Sequence, residues 1–324
     1  MKPMKQFSIG LMLFASLLFF SYGCKKDSNN DLQGSMRLEI TDAPIDDANI
    51  QGAFVTIAEV KVDGKAVTGF SGKKTVNLYA LQNGQTEVLG DLELDAGTYS
   101  NITLVLDHAS DANGNSPGCY VLTTDNVKHS LQATASTTQE IVINSSPFEV
   151  TNGQTSNLVI DFDLRKTIRY EDNSSTDDKY DFVTDSEIQS GVRLVAKNKA
   201  GTIKGQCEDN LGIAEKIVVY AYKKGTYNKE TEVNGQGSSK ITFKNCVSSA
   251  TVDAQGNYTL AFLEEGDYEL HFMAYEDSDA DGTMELKGEL ALSLTGGLSL
   301  DLSNISVQSE SQVTAAVLVT GLIP

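Results

Sequence analysis

The residues whose types and spacing could do chemistry are led by Asp277, Asp279, Asp281 and Glu285. Acids at alternate positions followed by Gly282 match the first half of a calcium loop. A hard cation needs several oxygens at about 2.3–2.6 Å, and the glycine lets the chain curl around it. The twelfth position of such a loop is Gly288 instead of glutamate, with Glu285 and Glu289 as nearby substitutes. Residues 268–275 and 284–290 alternate like strands, so the spacing predicts a hairpin tip and not a helix–loop–helix. Calcium is thus the candidate cofactor, weighed against a solvated acidic hairpin loop, the commoner use of such residues.

Asp161 and Asp163 lie two apart on an alternating stretch, which would turn both carboxylates to one face, with Arg165 following on it. Paired carboxylates can serve acid–base catalysis, because mutual repulsion raises one pKa. Structural ion pairing with Arg165 is the preferred reading. Asp107, Asp111, Asn113 and Asn115 around Gly114 read as a polar turn, and Asp42 before Ala43-Pro44 as a residue fixing a turn with its side chain. His108, His129 and His271 are scattered and show no zinc-type spacing, and His271 is expected on the solvent face of its strand. Nucleophile elbow, P-loop and dinucleotide fingerprints are absent, so no residues stand out for catalysis and a non-enzymatic role is expected. Tyr220 and Tyr222 share one strand face and could stack on a sugar, though sheet packing is the usual role, and the chain contains no Trp.

The elements that must position these groups are short strands. Met36, Leu38 and Ile40 alternate with polar residues, and Val55, Ile57, Val60 and Val62 continue in the same manner. Residues 78–81 are the best candidate for one helical turn. Residues 92–94, 95–99 and 102–106 read as strand, turn, strand, and 158–164 as a further strand. Turn residues recur about every ten positions and no long amphipathic helix interrupts them, which predicts an all-β fold of two β-sandwiches in tandem. The first is expected over 36–200 and the second over 201–324.

The 324-residue chain carries a formal net charge of −19. That charge repels phosphate backbones and anionic lipid, so nucleic acid is not an expected partner. Lys2 and Lys5 precede an apolar run over 7–20, which as a helix would reach only about 21 Å, short of a ~30 Å hydrocarbon core. The run reads as an export signal over 1–23. Cys24 follows the small residue Gly23 in the manner of a lipobox, although Ser21 and Tyr22 are uncommon there. Lipidation of Cys24 is expected, with 24–35 as a polar tether, so that the membrane is a partner through the anchor. Three cysteines remain. Export favours oxidation, so a Cys207–Cys246 bridge is a candidate, which would leave Cys119 as a buried lone thiol.

Two resemblances follow from ordered motifs. Leu38-Glu39-Ile40-Thr41-Asp42-Ala43-Pro44, then residues 94–99, then Ile160-Asp161-Phe162-Asp163-Leu164-Arg165-Lys166 resemble an uncharacterised domain family of exported bacterial lipoproteins over roughly 35–200. Gly201-x-Ile203-x-Gly205, Val218-Val219-Tyr220-Ala221-Tyr222, residues 252–260 and Leu263-x-x-Gly266-x-Tyr268 resemble the transthyretin-like, carboxypeptidase regulatory-like module. Its glycines are expected where strands turn with φ > 0. The first resemblance implies a location and a fold, and the second a non-catalytic spacer or binding domain. Together they imply a lipid-anchored outer-membrane protein, on the cell surface in preference to the periplasmic face, that binds or adheres to an unknown protein or glycan. The alternatives are a fimbria-like assembly subunit, with 314–319 as the strand to be exchanged, and an accessory protein that binds or hydrolyses surface glycan.

Overall fold

The computed structural model describes residues 32–43, 49–131, 136–170, 179–280, 282–295 and 300–323, and counts of elements refer to these residues. The export signal, Cys24 and Asp281 lie outside them. The fold is all-β. Strands β1 (Gln33–Thr41), β2 (Ile50–Val62), β3 (Lys65–Ala66) and β4 (Lys74–Asn77) come first, followed by a 3-10 turn over Leu78–Ala80 where one helical turn is expected. β5 (Glu87–Asp95), β6 (Gly97–Asp107), β7 (Tyr120–Thr123), β8 (Lys128–Ser130), β9 (Thr138–Val150) and β10 (Thr155–Phe162) follow. Helix α1 (Leu164–Thr167), β11 (Ile168–Tyr170), β12 (Tyr180–Phe182), α2 (Asp185–Gly191) and β13 (Val192–Ala196) end the first unit.

A four-stranded sheet, β13-β10-β1-β5, faces a seven-stranded one built on β8-β7-β2-β6-β9, with β3 and β4 beside β2. Met36, Leu38 and Ile40 from β1 and Leu158, Ile160 and Phe162 from β10 meet Val55, Ile57, Ile102 and Leu104 in one core. Alternation alone sends these side chains inward, since successive Cβ atoms point to opposite faces. A bulge between Ile57 and Glu59 resets the phase of β2, so that Val60 and Val62 still point in. His108 and His129 lie buried here, edge-on to Phe182 and Tyr180. Cys119 is buried beneath Thr56, and burial pushes its thiol up to about 12.

The second unit comprises β14 (Ala200–Glu208), β15 (Lys216–Lys223), α3 (Lys229–Glu232), β16 (Ser248–Thr251), β17 (Asn257–Glu264), β18 (Gly266–Glu276), β19 (Glu285–Leu294), β20 (Ile305–Val307), β21 (Gln312–Thr314) and β22 (Val317–Ile323). Its sheet runs β16-β15-β18-β19-β22-β14-β17, with β20 on β18 and β21 on β14. Ile217, Val219 and Ala221 of β15 enter a core with Ile203, Leu260 and Phe272. Val218, Tyr220 and Tyr222 point to the other face, where residues 224–247 fold back over them. The tyrosines take the packing role preferred for them, while the expectation for His271 is corrected. Tyr220 and Tyr222 are wholly buried, Tyr220 stacked on Phe243 at 4.1 Å, so neither offers a sugar platform. His271 is not turned to solvent: Tyr227 stacks on it at 3.7 Å and Glu289 Oε1 stands 2.7 Å from its Nδ1.

The candidate Cys207–Cys246 bridge is absent. Both thiols are free, Cys207 in the core with Ile203 and Leu260 and Cys246 in the cluster on the sheet's other face, so the sheet itself separates them. The glycine expectation also needs correction. Gly256 and Gly266 have positive φ, but Gly201 and Gly205 do not; they are required by close approach, since a Cβ on Gly201 would meet the Gln308 carbonyl oxygen at 2.5 Å.

Candidate functional site

Two clusters of charged side chains are built by this fold. The first is the hairpin tip between β18 and β19. Antiparallel pairing sets Glu276 opposite Glu285, and the loop between them curls through Ala280 and Gly282, both at positive φ. Asp277, Asp279 and Glu285 each bring a carboxylate oxygen within 4.8 Å of the others. Ser278 donates to Glu285 Oε2 through both its amide and its hydroxyl at 2.8 Å, and the Gly282 amide donates to Asp277 Oδ2 at 3.0 Å. The remaining expected ligand, Asp281, lies outside the described residues. A donor set made only of hard oxygens suits calcium rather than a thiophilic metal. If calcium binds, a chelator should lower Tm by roughly 5–10 °C relative to calcium at about a hundred times its Kd. Identical melting in the two buffers would leave the three carboxylates as a solvated loop.

The second cluster joins the two units and carries the motif stretch 160–166. β10 stops at Phe162, two residues earlier than the alternation predicts, and Asp163 precedes the short helix α1. Asp161 and Asp163 therefore do not share a strand face with Arg165. Register decides their partners instead. Arg193 of β13 stands directly opposite Asp161 and binds its Oδ2 through Nε at 2.9 Å and Nη2 at 2.6 Å. Asp163 Oδ2 takes Arg165 at 3.2 Å and Lys166 at 3.3 Å.

Each of these cations also reaches the second unit. Arg193 Nη1 donates to the Phe262 carbonyl at 2.8 Å. Arg165 Nη1 donates to the carbonyls of Thr242 and Phe243, and Nη2 to Cys246 Sγ at 3.0 Å and Ser249 Oγ at 3.3 Å. Lys166 Nζ donates to the Cys246 carbonyl at 2.6 Å. Phe262 and Phe243 both have left-handed backbones, with φ of 55° and 50°, which is costly for an aromatic residue. In each case the strained residue, at an irregularity within β17 for Phe262, aims a carbonyl at an arginine of the first unit. Glu187 adds a further clasp. Its carboxylate takes the Ser239 hydroxyl at 2.6 Å and amide at 3.1 Å while closing a capping box with Thr184. Burial would raise the Glu187 carboxyl, but these hydrogen bonds hold it down to about 2.

Asp42 joins this cluster from 122 residues away. Its Oδ1 accepts the Leu164 amide at 3.0 Å. It fixes a long-range contact where the sequence suggests a local turn. Asp107 and Asp111, by contrast, cap their own loop through backbone amides, as a polar turn requires. Arg193 and the cover formed by residues 224–247 are not evident from motifs. The available signals are a lone arginine in an apolar strand and the unbroken apolar run of β15, which implies burial on both faces.

An open cleft of about 500 Å³ lies at the loop end of the second unit, between Cys207, Ile217 and Val252, with Glu208, Glu215 and Asp253 at its walls. No described helix is long and apolar enough to cross a membrane.

Residues 33–185 match the model of a domain of unknown function, DUF4382. The matched stretch includes Asp42, Asp161, Asp163, Arg165 and Lys166 and ends before Arg193. No curated protein matches the chain in sequence. Among solved structures it is similar to the TIE protein of Bacillus anthracis, at 13% identity and a TM-score of 0.20 over 89% of this chain and 34% of that one. A leucine-rich repeat protein from Bacteroides thetaiotaomicron VPI-5482 follows at 11% identity and a TM-score of 0.21, over 90% of this chain and 26% of that one. The minor pilin GBS52 of Streptococcus agalactiae matches at 11% identity and a TM-score of 0.21, over 89% and 97%. The chain thus spans only 34% and 26% of the length of the first two.

Proposed function

We propose that this chain is an exported, non-catalytic binding or adhesion protein, held at the outer membrane by a lipid on Cys24 and displayed at the cell surface toward a protein or glycan ligand. The observation that carries the reading is the use of the motif stretch. Asp161 and Asp163, the pair best suited to acid–base work, are buried and neutralised by Arg193, Arg165 and Lys166, the cations that dock the second unit on the first. A hydrolase needs such a pair open to substrate. The geometry suits display as well. β1 carries the chain about 30 Å from Gln33 to Asp42, and the second unit docks at the Asp42 end. A transthyretin-like second unit accords with the role of a spacer or binding module.

The alternative of a fimbria-like subunit that donates its last strand fits less well. β22 already has β19 on one side and β14 on the other within its own sheet.

The test is acylation. A palmitate analogue fed to cells should label the wild type, and mass spectrometry should place the lipid on an N-terminal Cys24. Cys24→Ala should lose the label and leave the membrane fraction, while protease added to intact cells should cleave the wild-type chain. An unmodified Cys24 in the purified wild type would overturn the reading.

A further inference from the structure

Asp42 is the unbalanced member of the junction. The residue is 6% exposed, and while Oδ1 accepts the Leu164 amide, Oδ2 has no hydrogen-bond partner among the described residues. The junction's three cations are engaged with other carboxylates, Arg193 with Asp161, and Arg165 and Lys166 with Asp163. Asp42 lines a small cavity between the two units, with Thr41, Asn83 and Asp161 on its own side and Ser248 and Ser249 on the other. The space accommodates about one water molecule. The residues lining it from the second unit are hydroxyl-bearing or apolar and carry no charge. Burial holds the Asp42 carboxyl well above the usual carboxylate range. The Leu164 amide opposes this, the neighbouring Asp163 and Asp161 add to it, and Arg165 opposes.

We infer that Asp42 sits in the junction as a neutral acid, its Oδ2 proton donated to a single water that bridges to the Ser248–Ser249 side of the cavity, and that loss of this proton loosens the second unit from the first. Ionised, Asp42 would share a cavity with Asp161 and have no cation of its own, and charges buried without a partner are costly. The direction of the pH effect follows from linkage. The folded protein holds a proton that the unfolded chain, with an ordinary aspartate near 3.9, has already released. The contribution is complete below that ordinary value and is lost as pH rises through the raised one. The junction is therefore tightest in acid and loosens toward alkali.

The experiment is hydrogen exchange on the full mature chain from pH 5 to pH 9, corrected for intrinsic rates, at the Leu164, Ser248 and Ser249 amides. Wild-type protection should fall by about tenfold per pH unit while Asp42 stays protonated in the closed junction, and level off once it ionises there. Asp42→Asn keeps an oxygen for the Leu164 amide and a donor for the water, and its protection should stay flat across the range. An equal slope in Asp42→Asn, or a flat wild type, would overturn the inference. So would wild-type protection that follows sodium or calcium concentration at fixed pH, because a cation and not a proton would then neutralise Asp42. Carboxyl carbon NMR of the wild type is an independent measure should the variant not fold: Asp42 should titrate well above the exposed aspartates, and an ordinary titration would refute it.

Discussion

Arg165→Ala should cost about 3–5 kcal/mol and lower Tm by roughly 10 °C. The guanidinium is buried, as is its partner Asp163, with side-chain exposures of 7% and 6%. It holds Asp163 with Nη2, reaches Cys246 and Ser249 with the same nitrogen and two carbonyls with Nη1, and lies 4.8 Å over the Tyr220 ring. Truncation leaves Asp163 dependent on Lys166 alone and leaves the strained Phe243 carbonyl with only the Cys246 amide as donor. Removing one member of a buried pair is more damaging than removing both, because the survivor keeps its desolvation penalty. Asp163→Asn in the Arg165→Ala background should therefore restore part of the loss, a coupling that a double-mutant cycle measures. Calorimetry should also show the single transition of the wild type split into two as the units uncouple. A change in Tm of less than about 3 °C, with no splitting, would mean that the junction is held elsewhere.

Gly205→Ala should be more damaging still, at more than about 4 kcal/mol, enough to unfold the second unit. Gly205 lies on β14, where the chain leading into β22 crosses close by. A Cβ there would stand 1.7 Å from the Ala315 carbonyl oxygen and 2.8 Å from the Tyr258 hydroxyl. That carbonyl cannot move aside. The Tyr258 hydroxyl donates to it at 2.6 Å, and the Ala315 amide donates to the Lys204 carbonyl at 2.8 Å. Gly212→Ala is the control. Gly212 has φ of 63°, but a Cβ there meets nothing within 4 Å, so only the backbone penalty of about 1 kcal/mol applies. Urea unfolding of the two variants separates steric exclusion from conformational cost, and equal midpoints would show that the close approach relaxes freely.

These two sites show how far sequence reading reaches. The motif Gly201-x-Ile203-x-Gly205 is visible in the chain, but its reason is not, since the carbonyls that exclude a side chain come from residues more than a hundred positions later. The preference for ion pairing over catalysis at Asp161 and Asp163 follows from residue types, because a base two positions on is a plausible partner. The partner of Asp161 is nonetheless Arg193, not Arg165. Extending the strand to Leu164 puts Arg165 on the same face, whereas the strand ends at Phe162 and α1 swings Arg165 toward the second unit. Cys207 and Cys246 mislead for a similar reason, because 39 positions of separation say nothing about which face of a sheet each occupies.

By itself the sequence determined the class of structure: period-two alternation, frequent turn residues and a hairpin closing on Asp277–Glu285 that gathers carboxylates. Those features are local, because backbone sterics fix the direction of each side chain along a strand whatever lies beyond it. The tertiary structure decided which charges meet, with Arg193 set against Asp161 by strand register and Asp42 brought to Leu164 across 122 positions. It also decided that residues 224–247 cover the tyrosine face. Register and docking depend on how every strand fits its neighbours at once, and no window of sequence contains that information.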